Sequence, residues 1–65
     1  MSSKTLQKIR QLRNDKNLTQ EFVAEQIGCS QSHYAKVENG KVKLNLVTIN
    51  KIASVLEVNV NELMD

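Results

Sequence analysis

At 65 residues the chain makes one domain at most, and folding at that size buries only about 60% of the surface that the unfolded chain exposes, which leaves one modest core and little room for an enclosed catalytic cleft. Apolar residues at 40% and charged residues at 25% exclude a disordered tail, and the single cysteine, Cys29, excludes an internal disulfide. A formal net charge of +2 permits a polyanionic partner without demanding one. No apolar run approaches the roughly 20 residues that cross a membrane. No basic leader with an apolar centre opens the chain. The expected compartment is therefore the cytoplasm, with Met1 read as a natural start.

Proline is absent and glycine occurs only at Gly28 and Gly40, which suits helices joined by short turns. Leu6, Ile9 and Leu12 recur at threes among Lys4, Lys8 and Arg10, an amphipathic pattern that predicts a first helix over about 4–14 with Ser3 as its N-cap. Leu18 follows as a loop residue tucked inward. Thr19 caps a second helix over 20–27, with Val23, Ala24 and Ile27 inward and Gly28 as its left-handed stop. Phe22 stands where a glutamate would close a capping box, and it reads equally as an exposed sticky spot or as extra core.

Ser30 caps a third helix over 31–39, stopped by Gly40. Tyr34 and Val37 share its inner side, and Gln31, Ser32, Ala35 and Lys36 lie on its outer or leading side. A loop with Lys41 and Lys43 leads to Asn45, the cap of a fourth helix over 46–56 whose apolar face is Leu46, Ile49, Ile52, Ala53 and Leu56. Asn59 with Glu62 spells a capping box for a last short helix over 60–64. The sequence thus predicts an all-α, compact five-helix domain. A polar helix of about nine residues is marginal alone. Held rigid by helices behind it, its polar end suits a groove about 12 Å wide.

These residues carry a resemblance. Leu18-Thr19-Gln20, Val23-Ala24, Ile27-Gly28, Ser30-Gln31, Tyr34 and Val37-Glu38-Asn39-Gly40, continued by Thr48-Ile49, Lys51-Ile52-Ala53, Val55-Leu56, Val58 and Leu63, are similar to the helix-turn-helix of Cro and phage-repressor-like regulators of the XRE type. The resemblance covers about residues 5–64. It implies a lambda-repressor-like fold and a prokaryotic or phage transcriptional regulator, a repressor in the expected case. Such a regulator binds a palindromic double-stranded operator as a homodimer, with the third helix in the major groove.

The resemblance also implies roles for particular residues. Gln31, Ser32, Lys36 and Ala35 are the expected base contacts. Gln31 suits adenine, Lys36 suits guanine or a phosphate, and Ala35 suits a thymine methyl. Gln20, His33, Asn39, Lys41 and Lys43 are expected at the DNA backbone, with Gln20 also buttressing Gln31. Arg10 and Lys8 solvate the first helix. Arg13 and Glu38 form a structural salt bridge that pins the readers. Tyr34 is core by pattern, with its hydroxyl sent toward the surface. Cys29 is a small buried hydrophobe.

Two departures from the family pattern concern the scaffold. Leu44, at a position often held by proline, implies a looser loop. Glu57, in place of a common glycine, implies a different cap. The expected dimer seam is Val58, Val60, Leu63 and Met64. No metal, cofactor or small-molecule ligand is implied, since one histidine and one cysteine are too few for a structural zinc. An enzyme is disfavoured because no nucleophile and base come together. A protein-interaction or antitoxin-like adaptor on the same fold is the remaining alternative, with Phe22 in its favour.

Overall fold

Thr19, Ser30 and Asn45 each start a helix in the same way. Their backbones are extended, and the side-chain oxygen accepts from the amide three residues on: Phe22 at 3.0 Å, His33 at 3.1 Å and Thr48 at 2.9 Å. Each satisfies one of the orphan donors of a helix N-terminus. The computed structural model describes residues 3–64. Its elements are α1 (Ser3–Asp15), α2 (Gln20–Ile27), α3 (Gln31–Glu38), α4 (Leu46–Leu56) and a single 3₁₀ turn, η1 (Val60–Glu62). α1 already includes Ser3, and the capping contact expected of that side chain lies outside the described residues.

The four α-helices also end alike. Asn17, Gly28, Gly40 and Glu57 take positive φ of 58°, 86°, 77° and 58°. In each case the next amide reaches back five residues, from Leu18 to Arg13, Cys29 to Ala24, Lys41 to Lys36 and Val58 to Ala53. This is the 6→1 bond of a Schellman cap. The expectation of a different cap at Glu57 is therefore corrected. The chain keeps the left-handed ending and puts a side chain in it, which costs about 1 kcal/mol. The last helix is also shorter than expected. Asn59 and Glu62 do form their capping box, but they close one 3₁₀ turn, and the run to residue 64 does not continue.

α2 packs on α3 and α4, α1 packs on α3 and α4, and η1 closes against α4. Ile9, Val23, Tyr34, Ile49, Ile52, Leu56 and Leu63 are fully buried where these faces meet. Leu46, expected on the apolar face of α4, is 62% exposed. It occupies the first helical position after the cap, where Cβ points back toward the N-terminus and off the end of the bundle. Leu44, two residues earlier, is buried in its stead. The loop before α4 is thereby anchored to the core, which corrects the looser loop read from the missing proline.

Candidate nucleic-acid interface

α3 is divided lengthwise. Its Tyr34, Val37 and Glu38 are buried, whereas Gln31, Ser32, His33 and Lys36 are exposed and Ala35 is half-buried. Residues four apart share a helix face, so Gln31 aligns with Ala35 and Ser32 with Lys36. Asn39 is the C-cap and no longer part of the helix, yet it continues the exposed stripe. Lys41 and Lys43 extend it along the following loop, both exposed. The expected base-reading residues of α3 thus lie away from its buried side, and the expected backbone residues of α3 and its loop are exposed as well.

Behind that surface lies a charged centre. Glu38, at the end of α3, is 1% exposed in its side chain and meets Arg13 of α1 through two bonds, Nε to Oε2 at 2.6 Å and Nη2 to Oε1 at 3.3 Å. The remaining guanidinium nitrogen, Nη1, donates to the Leu18 carbonyl at 2.7 Å. Gln20 adds Nε2 to Oε1 of Glu38 at 3.0 Å. Burial alone would raise the Glu38 carboxyl. The hydrogen bonds from Arg13 and Gln20, with the charge of Arg13, outweigh it and hold the group below the ordinary carboxylate range.

Several sequence expectations change around this centre. Arg10 does not merely solvate α1, because its Nη1 donates to the backbone carbonyl of Glu38 at 2.7 Å. That contact sets a cation at the carbonyl end of α3, where the helix dipole favours it. Lys8 likewise ties α1 to the carbonyl of Met64 at 3.2 Å. Gln20 is half-buried, and its Nε2 donates to Glu38 at the end of α3 far from Gln31. The Tyr34 hydroxyl, expected at the surface, is buried with no well-formed hydrogen bond. Burial and the neighbouring Glu38 carboxylate push its phenol far above the ordinary range.

Of the residues expected at a dimer seam, Val58 and Val60 are half-buried and Met64 is exposed, but Leu63 is 0% exposed. Its side chain belongs to the core of its own bundle, because η1 folds it back onto α4. Among the described residues, Leu46 and Val47, at 62% and 64%, are the most exposed large apolar side chains. Sequence reasoning placed Leu46 inside because it keeps the spacing of the buried face. Phe22 is 44% exposed and lines an open depression of about 390 Å³ with Gln26, Lys51, Ser54 and Val55. Cys29 is half-buried against the core. Among the described residues no group of three or more His, Cys, Asp or Glu side chains is placed to hold a metal ion, and no helix is long and apolar enough to cross a membrane.

A short capped helix, a left-handed glycine turn and a second capped helix with one polar face make the arrangement of a helix-turn-helix, and the family model of that description matches residues 9–63. The chain belongs to the helix-turn-helix family. The solved structure of the restriction-modification controller protein C.AhdI from Aeromonas hydrophila superposes with a TM-score of 0.86 at 38% identity, covering 94% of this chain and 92% of that one. The control protein C.MunI from a Mycoplasma species is 39% identical over 57 residues, which is 86% of this chain and 77% of that protein. The HTH-type transcriptional activator BcrR of Enterococcus faecalis is 40% identical over 58 residues, 89% of this chain but 28% of BcrR. This helix-turn-helix chain is a sequence-specific DNA-binding regulator with an XRE/Cro-like, controller-protein-like fold, which is not an enzyme fold.

Proposed function

We propose that the chain is a small transcriptional regulator of the controller type that binds a palindromic operator as a homodimer, each copy placing α3 in the major groove. The observation that supports this most is the exposure of Gln31, Ser32 and Lys36 along one side of a helix whose other side is gripped by the core. Such a helix carries free hydrogen-bonding groups on a rigid support, which reading base edges requires.

On this reading Gln31 pairs with an adenine, Lys36 with a guanine or a phosphate, Ser32 with either kind of partner, and Ala35 meets a thymine methyl. His33, Asn39, Lys41 and Lys43 lie at phosphates and set the register. Two-fold pairing doubles the contact set and matches half-sites one helical turn apart. Val58, Val60 and Met64 form the seam. The chain only occupies DNA, so it represses where its operator overlaps a promoter and activates where it sits upstream. The near full-length likeness to a restriction-modification controller favours a regulated unit of that type.

Selection of bound duplexes from a random pool, followed by sedimentation of the complex, tests the reading. A two-fold symmetric consensus bound by two copies supports it, and a monomer both free and on the selected site removes the homodimer. An adaptor role is the second reading, favoured by the exposure of Phe22. Titration at two salt levels separates the two, since DNA binding weakens steeply with salt and an adaptor shows negligible binding even at low salt.

A further inference from the structure

The loop from α3 to α4 borders a depression that DNA recognition leaves unused. Leu6 of α1, Gly40, Val42, Lys43 and Leu44 line it around a volume of about 330 Å³, and it is more enclosed than the depression beside Phe22. Leu44 is buried, Leu6 and Val42 are half-buried, and Lys43 is exposed. The walls are therefore aliphatic, and the one charged lining residue is a lysine. Among the described residues no carboxylate pairs with Lys43. Gly40 keeps its side of the depression low, since a Cβ there would stand 3.3 Å from Leu6 Cδ1.

Three aliphatic walls and one cation match a ligand with a short apolar tail and one negative charge. Size points to a small molecule. A stable protein partner covers about 20–30 residues a side, whereas five residues line this depression. Its volume falls near the lower end of small-ligand sites, which run from about 300 Å³ upward. We infer that the depression takes an aliphatic monocarboxylate, its tail against Leu6, Val42 and Leu44 and its carboxylate on the Lys43 ammonium, and that the bound ligand weakens DNA binding. The last step rests on the proposed reading of Lys43 as a phosphate anchor. A lysine stem is flexible, so one ammonium serves either a phosphate or the ligand. Once paired with the ligand it no longer neutralises a phosphate, and the loss falls on every duplex alike.

The DNA-free chain is titrated with hexanoate at constant ionic strength and followed by methyl NMR. Acetate, which lacks the tail, and hexylammonium, which reverses the charge, are the controls. Hexanoate should shift the Leu6, Val42 and Leu44 methyls saturably, with half-saturation in about the millimolar range, and the controls should not. Saturating hexanoate should lower affinity for a selected operator and for a random duplex alike, about fivefold at about 0.15 M salt, and reduce the salt slope by about 1. Val42 is assigned no DNA contact. Val42→Phe fills the depression, so it should abolish the methyl shifts and the hexanoate response, while operator affinity without hexanoate stays within about twofold. Val42→Thr, which puts a hydroxyl in the apolar wall, serves if the phenylalanine variant does not fold and should weaken hexanoate binding at least about threefold.

No saturable shift at these three methyls overturns the site, and so do equal shifts with acetate or hexylammonium. Shifts that follow protein concentration instead of hexanoate put a second copy over the depression and overturn it as well. Saturable shifts with both DNA affinities intact overturn the coupling to DNA. If the unaltered chain binds neither duplex, the reading of Lys43 fails; hexanoate shifts that vanish in Val42→Phe then still uphold the ligand site, so the two failures are told apart.

Discussion

At its first turn α3 leaves Gln31, Ser32 and His33 in solvent, whereas at its last turn it delivers Glu38 to a guanidinium and an amide and its backbone carbonyl to a second arginine. The two ends belong to one helix of eight residues and follow opposite rules. The leading end keeps its hydrogen-bonding capacity unspent, which is what a groove-reading surface needs. At the trailing end Glu38 gives both its carboxylate and its carbonyl to the scaffold, while Lys36 in the same turn stays exposed. A helix this short has little stability of its own, so firmness at one end is what makes a free surface at the other useful.

The largest effect should come from attacking the trailing end. Arg13→Ala strands the Glu38 carboxylate in the core, and denaturant unfolding should show a loss of about 3 kcal/mol. The same end governs acid stability. The Glu38 carboxyl is held below its ordinary range, so its contribution is complete above the unfolded-state value and drains away as the pH falls through the lower folded-state one. In a pH series of unfolding free energies, Glu38→Gln should flatten that acid limb; an unchanged limb would show that other carboxylates set it.

The leading end should respond differently. Gln31→Ala should leave the melting temperature unchanged and cost about 1–3 kcal/mol of discrimination at one base position of the operator. Lys43→Ala should weaken binding to all duplexes alike and lower the salt slope by about 1. Uniform losses from both substitutions would dissolve the division into readers and anchors.

Two left-handed helix caps provide a smaller control. Glu57→Gly should stabilise by up to about 1 kcal/mol by relieving a left-handed side chain. Gly28→Ala should lose a similar amount, from backbone strain alone, since an added Cβ would meet nothing within 4 Å. Thermal melts measure both. The smallest effect belongs to Tyr34→Phe, which removes a buried hydroxyl with no well-formed bond and should be neutral or slightly stabilising. A marked loss would reveal a bond between that hydroxyl and Glu38.

Much of this was legible in the chain because its signals are local. Thr19 with Gly28 delimits α2, and Ser30 and Asn45 start their helices, since a cap is decided by a few neighbouring residues. The Arg13–Glu38 pair was readable through family likeness. What escaped depends on which residues meet in space. Leu46 has the spacing of a buried residue, yet it projects past the end of the bundle. Leu63 looks like a seam residue, yet η1 folds it inward. Glu57 suggested a new cap, but the chain keeps the left-handed ending, with the Val58 amide bonded to the Ala53 carbonyl. The partners of Gln20 and Arg10 lie 18 and 28 positions away, beyond the reach of any periodicity.

The convergence of α1, α2 and α3 on Glu38 bears on how such a protein can diverge. Gln31, Ser32 and Lys36 are exposed and outside the core, so on the proposed reading exchanging them would change operator preference at little thermodynamic risk. Copies of one gene would then part company in the sites they recognise while sharing a common frame.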